Sequence, residues 1–163
     1  MQPNTTNCSG GEPMSDSLWV EVFIDNYNTD VVIRNIKLEW GRLYKLEDRS
    51  TEISADSLNG TVIKAGKKLW VCACGRSWSP SGTEGSFQLF DLEDKLIGTY
   101  SWDCPLGKRL NKTTWTKNDD TNFRFDFHPG NGNYGGYEKR DGTHIGRVTL
   151  RIWDASKPPY TRG

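Results

Sequence analysis

Apolar and polar residues alternate with a period of two along much of this chain, and no segment sustains the 3.6-residue apolar period of a helix. Trp19 to Asp25 places Val20, Val22 and Ile24 on one side of a predicted strand, with Trp19 out of phase. After a turn over Asn26 to Asp30, Val31 to Trp40 predicts a second strand, in which Ile36, Leu38 and Trp40 alternate with Lys37 and Glu39. Gly41 to Asn59 is more polar, and the one element it suggests is a short helical turn near Ser54 to Ser57. A short strand follows over Gly60 to Ile63. The stretch from Lys68 then sets Leu69, Val71 and Ala73 on one face against Trp70, Cys72 and Cys74 on the other.

Further strands are predicted over Ser86 to Asp91, Ile97 to Trp102 and Thr113 to Thr116. Phe123, Phe125 and Phe127 alternate with Arg124, Asp126 and His128. Gly146 to Trp153 closes the series with Val148, Leu150 and Ile152 facing in and Trp153 out of phase. His128 to Gly142, with five glycines and two tyrosines, reads as the longest loop. All seven prolines lie in predicted loops or tails, as strand pairing requires. Roughly eight to ten short strands at this spacing predict an all-β fold, an antiparallel sandwich or barrel. Residues 1–17, rich in Asn, Thr, Ser, Gly and Pro, read as a flexible tail; 18–154 form one domain, and 155–163 a C-terminal tail.

Composition narrows the function more than it names it. The chain has 163 residues, enough for one domain with a real core. Its formal net charge is zero, so no global basic field draws it to nucleic acid or anionic lipid. The distribution is mildly uneven: residues 1–33 carry five acidic side chains and no lysine or arginine. Hydrophobic content is only 34%, yet there are seven tryptophans, so either a few large rings carry the burial or some rings are exposed. The N-terminus lacks a basic start and an apolar segment, so it does not read as a secretory signal. The expected product is soluble and is released or secreted by a non-classical route. The triplets at Asn4, Asn7, Asn59 and Asn111 then read as chance matches to the glycosylation pattern.

The four cysteines, Cys8, Cys72, Cys74 and Cys104, permit three pairings, and free thiols are the expectation. Cys74 with Cys104 is the pair to check first. Catalytic and metal chemistry find little support. Cys72-Ala-Cys74 is one close pair without further ligands nearby. No serine sits in a Gly-X-Ser-X-Gly elbow, and the glycines at 130–136 precede no helix and lack the P-loop lysine. No enzyme activity, cofactor or metal is expected.

The loop after Cys74 is different. Gly75-Arg-Ser-Trp-Ser-Pro-Ser-Gly82 places Trp78 in a polar connection between two strands, which core packing does not explain. An indole with a donor N–H suits a membrane interface, or stacking on a sugar or headgroup. Arg76 beside it has the paired donors to grip a phosphate, or to cap a strand end by bonding carbonyls. Both roles are open at this stage.

Several strings resemble one family. Ile33-Arg-Asn-Ile-Lys-Leu-Glu-Trp-Gly41, Gly60-Thr-Val-Ile-Lys64, Ala73-Cys-Gly-Arg-Ser77, Gly82-Thr-Glu-Gly-Ser-Phe87, Tyr100-Ser-Trp-Asp-Cys-Pro105 and Thr114-Trp-Thr116 resemble the aegerolysins of fungi and bacteria. The likeness spans residues 18 to 154, in order and with similar gaps. It implies a compact β-sandwich, akin in shape to actinoporin-like folds, without enzymatic activity. It also implies binding to sphingolipid membranes, and recruitment of a perforin-like partner of the membrane-attack-complex type to build a two-component pore.

Carried across, Trp19 and Trp40 match two tryptophans of the family's lipid-facing end. Leu106 stands where fungal members have a third, and Ser81 falls where they carry a glutamate that tunes sterol dependence. With Arg76, Trp78 and Asp103, these residues make up the expected lipid-binding set. The rival expectation is a soluble carbohydrate-binding module, because small sandwiches with exposed aromatics also stack on sugars.

Overall fold

The alternating segments pair as β-strands. In the computed structural model, which describes residues 17–107, 110–129, 136–139 and 144–158, twelve strands are formed. They are β1 (Trp19–Asn26), β2 (Val31–Trp40), β3 (Arg42–Lys45), β4 (Asp48–Ile53), β5 (Val62–Ile63), β6 (Lys68–Cys74), β7 (Thr83–Asp91), β8 (Leu96–Cys104), β9 (Asn111–Lys117), β10 (Phe123–His128), β11 (Gly136–Lys139) and β12 (Gly146–Asp154). One six-stranded sheet runs β10-β12-β1-β6-β3-β4 and the other β11-β9-β8-β7-β2-β5. The predicted all-β sandwich is borne out. Every pairing is antiparallel except β1 with β12, which run parallel with Val22 opposite Val148 and Ile24 opposite Leu150. Among the described residues no helix is long and apolar enough to cross a membrane.

The core lies between the sheets. Val20, Val22 and Ile24 of β1 meet Val71 and Ala73 of β6 and Val148, Leu150 and Ile152 of β12; from the other sheet come Phe87, Leu89, Tyr100, Trp102 and Trp115. Two glycines make room for the largest rings. A Cβ on Gly85 would sit 2.6 Å from the Trp102 ring, and one on Gly98 would sit 2.5 Å from that of Trp115. Each indole therefore lies across a neighbouring strand that has no side chain at that point.

Three elements depart from the simple alternation. The polar stretch after Gly41 contains β3 and β4 as well as the predicted turn, here a 3₁₀ turn over Ala55–Ser57 capped by Ser54. β4 escaped notice because it is an edge strand with no buried residue, so nothing obliges it to alternate. β11, likewise an edge strand, lies inside the predicted Gly/Tyr loop, most of which falls outside the described residues, as do residues 1–16 and 159–163. The third departure is in β2, whose register against β7 slips twice, between Arg34 and Lys37 and again between Leu38 and Trp40. The first bulge, with Asn35 at φ 57°, switches the inward set from Val31 and Ile33 to Ile36 and Leu38. The second takes Trp40 out of that set. Leu38 lies opposite Gly85 in the core, whereas Trp40 lies opposite Glu84, whose side chain points outward.

The outward face of the β1 sheet is covered as well. The Trp19 ring stacks on His144 at 4.6 Å and 10°, and the Arg49 guanidinium lies 5.0 Å from the Trp19 ring and 5.4 Å from that of Tyr44. Glu21, only 5% exposed, accepts hydrogen bonds from the Tyr44 hydroxyl at 2.7 Å and from Arg147 Nε at 2.9 Å. This answers why Trp19 is out of phase: it belongs to a second apolar layer with Tyr44, Trp70, Cys72 and Cys74. Cys72, Cys74 and Cys104 are buried reduced thiols. Cys104 lies in the central core and Cys74 in the outer layer, on opposite sides of the β1 sheet, so the Cys74–Cys104 disulfide does not form. Cys8 lies outside the described residues. Burial, and then the Glu21 carboxylate, push the Cys72 thiol up to about 12. Asn111 is 1% exposed, and the Asn59 Oδ1 accepts the Ile36 N–H, so both asparagines have structural work.

Candidate functional site

At one end of the sandwich the chain crosses between the sheets at Gly41 and makes the loop 75–82. Gly41 has φ 91°, and a Cβ there would lie 2.4 Å from the Cys74 carbonyl oxygen. Only glycine fits both the left-handed backbone and the close approach. Its position sets Trp40 and Arg42 on different sheets, one on each side of the loop. Gly82 works similarly: a Cβ on it would lie 1.9 Å from the Cys104 carbonyl oxygen, so the loop rests directly on the end of β8. Beneath it, the buried Trp102 Nε1 donates to Thr83 Oγ1 at 2.9 Å.

Within the loop, Ser79 N–H donates to the Arg76 carbonyl at 3.0 Å, and the Ser79 and Ser81 hydroxyls lie 2.7 Å apart. These bonds tie the base of the turn and leave Trp78 standing out, 92% exposed. Trp40 is 57% exposed. No other tryptophan among the described residues is comparably exposed. A recess of about 210 Å³ opens beside the loop, lined by Trp40, Ser81, Glu84, Asp103 and Leu106 with Pro80 and Pro105. Glu84 and Asp103 are cross-strand neighbours on β7 and β8, so their carboxylates share the outward face. The described lining of the recess contains no lysine or arginine, although Lys112 of β9 lies opposite Asp103 in the strand register. An exposed indole beside two carboxylates favours a cationic group, through the ring face and the opposite charge together.

On the other flank lies a second recess of about 570 Å³, walled by Arg42, Glu52, Arg76 and Trp78. Arg76 does not cap a strand end. Its Nη1 and Nη2 donate to the two Glu52 carboxylate oxygens at 3.0 and 2.9 Å. That hydrogen-bonded fork holds the Glu52 carboxyl below its ordinary range, with Arg42 adding to the effect.

Of the seven residues expected from the sequence, Trp40, Ser81, Asp103 and Leu106 meet in the first recess, and Arg76 and Trp78 in the second. Trp19 is at the same end, opposite Cys74 in the register, but its ring lies in the outer layer against His144 and not in either recess. Three charged lining residues were not anticipated. Glu84 follows from strand register, which places it beside Asp103, and Arg42 and Glu52 face each other only because β3 and β4 pair.

The sequence profile of the Aegerolysin family matches residues 17–155. Ostreolysin A6 from Pleurotus ostreatus is 41% identical over 106 residues, which cover 63% of this chain and 75% of that protein. Asp-hemolysin from Aspergillus fumigatus is 38% identical over 95 residues, covering 57% and 68% respectively. Among solved structures, IP-1A from Alcaligenes faecalis superposes with a TM-score of 0.75 at 29% identity, covering 87% of this chain and 94% of that one.

Proposed function

The chain belongs to the aegerolysin family, and on that footing we propose that it binds sphingolipid-containing membranes through the Trp40–Trp78 end and recruits a perforin-like partner to form a pore. The partner supplies the transmembrane strands, and this chain supplies the receptor contact. The observation that carries the reading is the pairing of two exposed indoles with a small acidic recess at one end of the sandwich. Exposed tryptophans sit well at the headgroup level of a bilayer. A recess of about 210 Å³ suits a headgroup amine and not an acyl chain. A neutral protein needs no basic patch to dock this way, because the rings supply the contact. The name of the relative Asp-hemolysin is in keeping with action at a cell membrane.

The expected lipid-binding set of Trp19, Trp40, Arg76, Trp78, Ser81, Asp103 and Leu106 is retained, with Glu84 added; Trp19 acts from the flank. The test is sedimentation with liposomes that differ only in headgroup: phosphatidylcholine alone, with ceramide phosphoethanolamine, or with sphingomyelin and cholesterol. Selective pelleting with one sphingolipid is expected. Pelleting with none, together with binding on a glycan array, would replace this reading with the carbohydrate-binding one. Restoring the family tryptophan by Leu106→Trp, at the edge of the recess, is expected to change the preference among those lipids.

A further inference from the structure

The two flanks of the loop 75–82 carry opposite charge. The first recess presents Glu84 and Asp103, while the second presents two guanidinium groups against the single carboxylate of Glu52. Three serines, at 50, 77 and 79, add hydroxyls to the second wall. The Arg42 Nη1 is buried and has no hydrogen-bond partner among the described residues. A guanidinium with an unused donor is costly unless an acceptor arrives. Glu52, the one carboxylate among the described lining residues, is taken up by Arg76 in a two-point fork. That ion pair is about half exposed on both sides, 54% for Arg76 and 48% for Glu52, so solvent competes with it and it is weakly held.

We propose that the Arg42–Arg76 recess is an oxyanion site that takes a headgroup phosphate, with Glu52 as the resident surrogate that withdraws when the phosphate enters. A phosphate oxygen pair reproduces the fork that Arg76 now makes with the carboxylate. A further oxygen gives Arg42 the acceptor that Glu52 does not supply. Trp78 at the rim would rest at the bilayer surface and bring the recess to phosphate depth. The same loop then sorts a zwitterionic headgroup by charge, phosphate toward Arg42 and Arg76, amine toward Glu84 and Asp103. This assignment rests on the membrane reading above, but the oxyanion chemistry itself does not.

The test compares Arg42→Gln, Arg76→Gln and Glu52→Gln, each first shown to melt as the wild type does. In sedimentation with whichever phosphosphingolipid liposome binds the wild type, the two arginine variants are expected to bind roughly tenfold or more weakly. Glu52→Gln, which removes the competing charge, is expected to bind several-fold more tightly. A purely structural ion pair predicts the opposite for Glu52→Gln, the same loss as for Arg76→Gln, and that result would overturn the proposal; so would unchanged binding. If no liposome binds the wild type, the membrane reading fails on its own. Titration with inorganic phosphate and phosphocholine, followed at the arginine Nε–H resonances, then decides the site. Saturating shifts at Arg42 and Arg76 that sodium chloride does not reproduce support it, and shifts equal to those of the salt sink it.

Discussion

Replacing Trp78 with alanine separates binding from folding more cleanly than any other change at this end. The ring is 92% exposed, so the folded protein loses almost no packing. A surface substitution of that kind stays within about 0.5 kcal/mol of wild-type stability, which for a chain of this size moves Tm by less than about 2 °C. In the proposed bound state the same ring lies at the interface. A tryptophan offers about 150–250 Å², and burying about half of it at roughly 25 cal/mol per Å² is worth about 2–3 kcal/mol. The alanine variant should therefore bind sphingolipid liposomes about 30- to 150-fold more weakly. Sedimentation over a range of lipid concentrations gives the ratio directly, and a thermal melt of the same sample checks the fold. Trp78→Phe should recover part of the loss, since a smaller ring still offers apolar area. Wild-type affinity in a folded Trp78→Ala protein would refute the reasoning, because the most exposed ring would then have no place in the contact.

Thr83→Val keeps the shape beneath the site but leaves the Trp102 indole N–H buried without its acceptor. It should cost about 1–3 kcal/mol, read as a fall in Tm of roughly 2–12 °C. Gly82→Ala drives a Cβ against the Cys104 carbonyl, so it should cost about 1–3 kcal/mol through overpacking and weaken liposome binding beyond what an equally destabilised core variant shows. Cys72 should resist alkylation in the native protein at mildly alkaline pH and react once the chain is unfolded, as followed by peptide mass spectrometry. The same burial makes a pH prediction. Burial pushes the folded thiol up from its ordinary 9.0 to about 12, so its contribution is intact below pH 9 and is lost as the pH climbs toward 12. Tm measured across that window should fall, and Cys72→Ala should flatten part of the fall.

Period-two alternation alone determined a great deal here, because each strand has one face that must leave water and a pleat that repeats every two residues. It located the strands with an inward apolar set and the exposure of Trp78, a large ring stranded in a polar loop. The short strings around Gly41, Gly75, Gly82 and Cys104 carried the family. Edge strands such as β4 were not legible, since a strand with no buried residue has nothing to alternate. Nor was the aim of Trp40. Its alternation set it in phase with Ile36 and Leu38, the family resemblance set it at the lipid-facing end, and the second bulge against β7 is what turns it outward beside Glu84.

The recesses belong to the tertiary structure for the same reason. Glu84 and Asp103 become neighbours through the β7–β8 register, and Arg42 faces Glu52 and Arg76 through the pairing of β3 with β4 and β6. Side-chain character and period are written locally in the chain. Register, bulges and the crossing at Gly41 are set by how two sheets close over one core, and they decide which charges meet.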